Sequence, residues 1–145
     1  MSSVRDLIFD RMATALDAVS GIERVYRARE TTFDQHDTKA LKLVDRGDAM
    51  LRALTHYENR AGFEIRLLER DYDENALRDT LSDLRASIET ALNNGEFWTD
   101  LAVETTVRAS DEVQGDATNP AGLLVMDGEV LYRVALNDPS KVVVL

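Results

Sequence analysis

The main candidates for metal or acid–base chemistry are two histidines and one polar cluster. His36 lies in the run Asp34-Gln35-His36-Asp37, whose carboxylates and imidazole could in principle bind a divalent cation. The spacing does not match a calcium-binding loop, and a solvated turn is the simpler interpretation. His56 has no second histidine and no cysteine at ligand spacing, so it is predicted to be a surface imidazole.

The sequence contains none of the motifs that usually mark an active site. It has no Gly-rich phosphate loop, GxSxG elbow, HExxH pair or GxGxxG fingerprint. There is no cysteine, which excludes a disulfide framework, a thiolate metal site and a cysteine nucleophile. Carboxylate pairs are frequent simply because the chain is acidic. We therefore predict a protein that is not an enzyme and that uses no cofactor or metal.

The charge of the chain is negative and unevenly distributed. The formal net charge is -10; residues 1–72 carry 12 basic and 13 acidic side chains, whereas residues 73–145 carry 5 and 14. Such an acidic second half argues against a duplex-binding module, which needs clustered Lys and Arg. No apolar run approaches the ~20 residues that span a bilayer, so no membrane association is expected. A chain of 145 residues is long enough for one domain with a real core.

The organising stretch is a predicted strand followed directly by a predicted helix. In Phe63–Arg70, apolar residues alternate with charged ones, which indicates a strand with one face on a core and the other in water. The period then changes to that of a helix with a single apolar stripe. The stripe consists of Leu77, Leu81, Leu84, Ile88 and Leu92. Asp73 is the expected N-cap, and Gly95 is the expected end of the helix.

The first half of the chain predicts another helix and a set of extended segments. Residues 3–20 have apolar positions at helical spacing, with Ser3 and Asp6 resembling a capping box and Gly21 at the C-terminal end. Two strands are expected in 22–29 and 40–44, the second closed by a turn at 45–48. Residues 49–55 fit either a helix or a hairpin arm leading into the central strand.

The second half predicts two long extended segments separated by a loop. Leu101–Ala109 has the alternation of a strand, and residues 123–136 are extended, with Asp127-Gly128 interpreted as a bulge and not as a hairpin turn. Ser110–Gly122 is polar and is predicted to be a long mobile loop. The fold class expected for the single domain 1–145 is therefore α+β. It has a mostly antiparallel sheet of about five strands, with two amphipathic helices packed on one face.

Two features suggest that the chain acts through contacts with other subunits. Arg24, Arg27 and Arg29 form a basic stripe that could meet the acidic surface of another copy, although a solvated strand face explains them equally well. The C-terminal tail, residues 137–145, ends in an apolar strand-forming segment. Val142, Val143 and Val144 could fold back on their own sheet or add a strand to a neighbouring subunit. Head-to-tail contacts of this kind close into rings when the rotation allows it.

The layout of the chain resembles the tail terminator family of long-tailed bacteriophages. The resemblance is carried by the N-terminal helix ending at Gly21, the segment Gly21–Arg29 with its Arg24-Val25-Tyr26-Arg27 core, one later helix and the last strand Val130–Val134. It covers nearly the whole chain. The resemblance implies a minor tail protein of small α/β fold that forms a homohexameric ring on the tail tube, stops tube polymerisation and presents a docking surface to the head-side connector.

The same resemblance implies the partners and the location of the protein. The partners would be copies of itself, the tail tube protein and the head–tail connector protein, with DNA passing through the ring without specific binding. The protein would reside at the head-proximal end of the virion tail, after assembly in the host cytoplasm. Two loops are expected to touch partners, through Asp34, His36, Asp37, Asp111, Glu112 and Asp116. The alternatives are a head–tail joining protein of related fold, a small ligand- or metal-binding enzyme domain with a site at the first loop, and a monomeric acidic adaptor.

Overall fold

A computed structural model describes residues 3–27, 39–70, 74–93, 101–102, 104–114 and 121–143. Two helices and six strands lie in these ranges. They are α1 (Val4–Asp17), β1 (Arg24–Tyr26), β2 (Lys39–Arg52), β3 (His56–Arg70), α2 (Glu74–Leu92), β4 (Glu104–Gln114), β5 (Ala121–Ala135) and β6 (Asp138–Val142). The sheet order is β1-β2-β3-β5-β4, with β6 also paired to β5. Only the β1–β2 pair is parallel among these strands. The predicted α+β class is confirmed, with six described strands where about five were expected.

Helix α1 begins as the sequence predicts and ends slightly earlier. Ser3 is the N-cap, and its Oγ accepts a hydrogen bond from the Asp6 backbone N–H at 3.2 Å. The helix ends at Asp17 and not at residue 20, and Gly21 follows with a φ of 94° in the left-handed region. One face of the helix is buried, formed by Val4, Ile8, Phe9, Met12 and Leu16.

Helix α2 buries the stripe that its periodicity predicts. Leu81, Leu84, Ile88 and Leu92 are all buried, which confirms the interpretation of the four-and-three spacing. The predicted cap Asp73, the predicted terminator Gly95 and the side chain of Leu77 lie outside the described residues. Neither described helix combines the length and the apolar character needed to cross a membrane.

The two helices and the sheet share one core. Its central rows come from three neighbouring strands, because Ile65 of β3 pairs with Leu43 of β2 and Met126 of β5. Both helices contribute side chains to the same buried cluster. The prediction that the two helices cover one face of a mostly antiparallel sheet is consistent with this arrangement.

The segment Asp45–Asp48, predicted to be a turn, is instead a bulge inside a long strand. Asp45 pairs with Phe63 and Gly47 pairs with Gly62, which leaves Arg46 as the extra residue. Gly47 has a φ of 85°, and its N–H donates to Asp45 Oδ1 at 2.8 Å. The same local properties of glycine and aspartate favour both a turn and a bulge. The pairing of β2 with β3 decides between them and makes residues 49–52 a hairpin arm.

The prediction of a loop over Ser110–Gly122 is wrong at both ends of that range. Residues 110–114 belong to β4 and residues 121–122 to β5, paired so that Ser110 faces Met126 and Gln114 faces Gly122. Residues 115–120 lie outside the described ranges. Strand β4 lies at the end of the described strand order, whereas β5 is paired on both sides. Strand pairing with the apolar β5 overrides the polar local composition.

Strand β5 is continuous through Asp127-Gly128, as the bulge interpretation requires, but the irregularity lies in its neighbour. The ladder with β3 runs without interruption from His56↔Ala135 to Arg70↔Ala121. On the other side, the register with β4 shifts between Val107 and Ala109. The extra residue therefore belongs to β4 and not to β5.

The charged side chains of β3 do not all lie in water. Phe63, Ile65 and Leu67 are buried as predicted, but Glu64 and Glu69 are only 3% and 2% exposed. Glu64 is paired with Arg46 and Arg66, whose own side chains are about half exposed. Glu69 Oε1 lies 3.7 Å from Lys39 Nζ. Buried carboxylates require such cationic neighbours, and these neighbours come from β2 as well as from β3.

Candidate functional site

The predicted metal or catalytic candidates do not form a site in the described part of the chain. No group of three or more His, Asp or Glu side chains that could hold a metal ion occurs there. Asp34, His36 and Asp37 lie outside the described residues. His56 is 6% exposed, so the prediction of a surface imidazole is wrong.

His56 is buried because it starts a strand that is paired on both sides. Its Nδ1 lies 3.0 Å from Thr55 Oγ1, and its Nε2 lies 3.7 Å from Glu58 Oε1. Glu58 also accepts a hydrogen bond from Arg133 Nε at 3.1 Å. This bond is the main reason why the pKa of Glu58 lies below its usual value. The group is a cluster of polar contacts across β3 and β5 that includes one ion pair, Arg133–Glu58.

A polar network connects the start of α1 to three strands. Arg5 donates to Asp45 and, from Nε at 2.7 Å, to Asp48 Oδ1. Tyr132 Oη donates to Asp48 Oδ2 at 2.6 Å, and the Asn59 side chain hydrogen-bonds the same hydroxyl. Charge-assisted bonds of this kind are shorter and stronger than neutral ones. The network fixes the first turn of the helix to the sheet.

Both titratable ends of this network have shifted pKa values. The hydrogen bond to Asp45 is the largest cause of the raised pKa of Arg5. Burial lowers this pKa, and the contact with Asp48 raises it further. Burial is the largest cause of the raised pKa of Tyr132, and its hydrogen bond to Asp48 adds to it. A phenolate beside the Asp48 carboxylate would be doubly unfavourable. The network therefore needs Tyr132 in its neutral form.

We expect the network to make stability fall at alkaline pH in a way that depends on Tyr132. A pKa raised in the folded state stabilises the protein fully below the unfolded value of about 10 and progressively less as pH rises above it. Tyr132→Phe should cost about 1 to 2 kcal/mol at pH 7 because Asp48 and Asn59 lose a partner. Its stability should then decline less than that of the wild type above pH 10. Urea unfolding at pH 7, 10 and 11 measures both effects.

The ultraviolet titration of the native protein is the independent control. The chain has four tyrosines, and Tyr132 should fail to ionise until the protein unfolds. This delayed component should be absent in Tyr132→Phe. Four tyrosines that all ionise near pH 10 in the folded wild type would contradict the role assigned to the network.

An open cavity of about 280 Å³ lies beside the network. Arg5, Asp48 and Tyr132 line it on the polar side, and Asp138 contributes a second carboxylate. Its apolar lining includes Met50, Tyr57, Val134, Leu136 and Pro139. In the sheet register, Asn59 lies between Met50 and Tyr132, so the cavity begins where α1 begins and extends toward the end of the β2–β3 hairpin.

The β2–β3 hairpin ends in exposed apolar side chains. Four large hydrophobic residues are exposed among the described residues, and three of them are in this hairpin. Met50 is 64%, Leu51 65% and Leu54 96% exposed. Ala53 N–H donates to His56 C=O at 2.8 Å, which closes the hairpin around Leu54 and Thr55. Clustered exposed apolar residues usually mark an interaction site.

The predicted basic stripe lies at the β1 end of the sheet and already has contacts within its own chain. Arg24 is exposed, donates to Tyr26 Oη at 2.8 Å, and lies 5.5 Å from the centroid of that ring. Arg27 is exposed and pairs with Asp10 of α1. Arg29 lies outside the described residues. The two described arginines are at the surface, so a role between subunits stays a prediction.

The predicted C-terminal segment folds back on its own sheet as far as it is described. Val142 pairs with Val134 of β5, and Val143 N–H donates to Arg133 C=O at 3.1 Å. Val144 lies outside the described residues. Of the predicted contact residues in the second loop, Asp111 and Glu112 belong to strand β4, and Asp116 lies outside the described ranges. Whether any of them touches a partner stays a prediction.

The chain was compared with known proteins at three levels. No family model matches it, and no curated protein matches it. Among solved structures, it aligns with a chain from the virion of a native gene transfer agent particle, at a TM-score of 0.51 and 15% identity. The alignment covers 89% of this chain and 92% of the other. The two chains share a fold. A second solved structure aligns at a TM-score of 0.44 and 12% identity.

Sequence reasoning missed the network, the cavity and the exposed hairpin end. Arg5 is 40 residues from Asp45, and Asp48 is 84 residues from Tyr132. No local pattern connects such positions. The hairpin end did carry a signal, because Met50, Leu51 and Leu54 are apolar in a segment with no acidic residue. Because the segment fits either a helix or a hairpin arm, the sequence alone did not predict that these three side chains are exposed together.

Proposed function

We propose that this protein is a structural component of a phage-like virion. The observation that carries the proposal is the shared fold with a gene transfer agent virion chain over nearly the full length of both chains. The finer part of the proposal follows the resemblance to tail terminators. In it, copies of the chain form a ring at the head-proximal end of the tail tube, end tube polymerisation and present a surface to the head-side connector.

The shape of the sheet supports assembly with other copies. Strand β1 pairs only with residues 40–42 of β2 in the described chain. The outer edge of β2 therefore has no described strand beside residues 44–52. An open edge of this length is a template for another chain, and the Asp45–Gly47 bulge restricts where a neighbouring strand could pair. A ring would cover such edges, which a monomer leaves open.

The charge of the chain supports the proposed passage of DNA. A net charge of -10 repels the phosphate backbone, so a ring built from this chain would hold no DNA tightly by phosphate contacts. Within the described residues, the acidic groups of the network are already paired with Arg5. A lumen that conducts DNA needs weak binding.

Removal of the gene from the phage-like element should change tail length. If the protein terminates the tube, particles made without it should carry tails of irregular, extended length without attached heads, because tube growth has no end signal. Negative-stain electron microscopy of the released particles measures both properties. Expression of the wild-type chain from a plasmid should restore tails of uniform length joined to heads.

The same images separate the proposed role from its nearest alternative. Tails of normal, uniform length that lack heads would indicate a head–tail joining protein instead of a terminator. Normal particles with normal tails would contradict a structural role at this junction. A particle preparation from the complemented strain should also contain the chain itself, which mass spectrometry of purified virions can establish.

A further inference from the structure

The exposed hairpin end and the cavity beside the network are complementary surfaces of the same molecule. The hairpin end, defined here as residues 50–55, has an apolar apex at Leu54 and one charged side chain, Arg52. The cavity has apolar walls and two carboxylates, Asp48 and Asp138. If the hairpin end entered the cavity, its apolar apex would contact the apolar walls, and the Arg52 cation would lie near the two carboxylates.

The net charge beside the cavity is negative. Arg5 contributes one positive charge, but Asp45 and Asp48 both pair with it. Asp138 adds a further carboxylate, whose pKa is held below its usual value by hydrogen bonds from Ser140. The cavity therefore favours an occupant that is apolar at its end and positively charged next to it. The hairpin end has this composition.

The hairpin end of a chain cannot enter the cavity of that same chain. Met50 and Tyr57 line the cavity and also belong to the two arms of the hairpin. The arms are held in register up to Arg52↔Tyr57, so Leu54 extends beyond the cavity on a short closed turn. Bending it back would break the last pairs of the ladder. A hairpin end that occupies the cavity must therefore come from another molecule.

We propose that the hairpin end of one copy docks into the cavity of a second copy, with Leu54 in the apolar part and Arg52 beside Asp48 and Asp138. Each chain has one hairpin end and one cavity, which adjoin at Met50. Repeated in one direction, this contact joins the copies into a ring or a filament. This inference rests on the self-association in the proposed function and names the contact that produces it.

A cysteine trap tests the contact directly. The chain has no cysteine, so single substitutions introduce the only thiols. Leu54→Cys chains mixed with Pro139→Cys chains at high concentration should form a mixed disulfide dimer under mild oxidation, because the docked residues come within the 4.4–6.8 Å Cα separation that a disulfide needs. Leu54→Cys mixed with Thr90→Cys, an exposed site on α2, is the control. Intact mass spectrometry of differently tagged chains counts the mixed species.

A second measurement uses the association constant. Leu54→Ser should weaken self-association of the wild-type chain about tenfold or more, because the docked leucine loses the burial of a whole apolar side chain. Its melting temperature should not change, since Leu54 makes little contact within its own chain. Leu7→Ser is the matched control, a leucine 40% exposed on α1, and should leave association unchanged. Sedimentation equilibrium gives the association constants, and thermal unfolding gives the melting temperatures.

The outcomes separate this contact from the proposed function. A mixed disulfide yield no higher than in the Thr90→Cys control overturns the docking, whatever the oligomeric state. Oligomers that persist unchanged in Leu54→Ser also overturn it and point to another interface. Tail length in the particles lacking the gene is measured independently, so the terminator role can stand when the docking fails and can fail when the docking stands.

Discussion

The substitution Gly128→Ala is expected to lower the free energy of unfolding by about 3 kcal/mol or more, at the upper end of overpacking effects. An added Cβ would lie 2.2 Å from the Thr106 backbone oxygen and 2.8 Å from Phe63 Cζ. Real Cβ contacts are never this close. The oxygen cannot retreat without disturbing the β4–β5 ladder, in which Thr106 pairs with Glu129 and Val107 with Gly128. The strand pair must therefore separate locally.

Urea denaturation of the purified chain measures this loss. Gly47→Ala is the informative control, because no atom lies within 4 Å of its added Cβ, yet Gly47 has a φ of 85°. That substitution should cost only about 1 to 2 kcal/mol, the strain of a left-handed residue with a side chain. Equal losses for the two variants would mean that crowding at position 128 costs no more than left-handed strain at position 47. A loss below about 0.5 kcal/mol for Gly128→Ala, the range of ordinary surface substitutions, would refute the close approach.

The elements with a strong local period could be predicted from sequence. The stripe in α2 and the Ser3 cap of α1 depend only on residues within a few positions of one another, and both are confirmed. The alternation of Phe63, Ile65 and Leu67 likewise predicted the buried face of β3. In these cases the local preference and the packing agree, so a single sequence is enough.

Local patterns fail where strand pairing decides the environment. Ser110 and Gln114 lie in a polar stretch, but pairing with β5 makes it a strand. Glu64 is buried because Arg46, which comes from the β2 bulge, pairs with its carboxylate. His56 is buried for the same class of reason, between two neighbouring strands. Burial of a polar residue depends on partners far away in sequence, and periodicity does not report them.

The candidate site shows the same division between local and long-range information. The exposed apolar residues of the hairpin end are adjacent in sequence, whereas the cavity combines positions from α1, β2, β3, β5 and β6. A single sequence can therefore suggest the group that inserts but not the surface that receives it. Arg24 and Arg27 were proposed as contact residues on composition, and the structure places them beside Tyr26 and Asp10 of their own chain. They stay predictions about the assembly.

The substitution Phe63→Ala is expected to cost about 3 to 5 kcal/mol, the usual range for a buried phenylalanine. Phe63 is 1% exposed and lies between Asp45 of β2 and Gly128 of β5 in the sheet register. Its ring occupies the space that a side chain at position 128 would need. Removal of the ring leaves a cavity at the centre of the core, which the paired strands on either side cannot close. Urea unfolding measures this loss. Leu51→Ala is the matched control, and its expected effect is small because Leu51 is 65% exposed.

The double variant Phe63→Ala/Gly128→Ala distinguishes the two clashes at position 128. Residues in contact give non-additive losses of about 0.5 to 3 kcal/mol in such cycles. If the phenyl ring is part of the obstruction, the double variant should lose less stability than the sum of the single variants. The Thr106 oxygen remains in place in both backgrounds, so the rescue should be partial. Full additivity would show that the ring does not contribute, and complete rescue would show that the backbone oxygen does not. Either result would revise the reason why β5 requires glycine opposite Phe63.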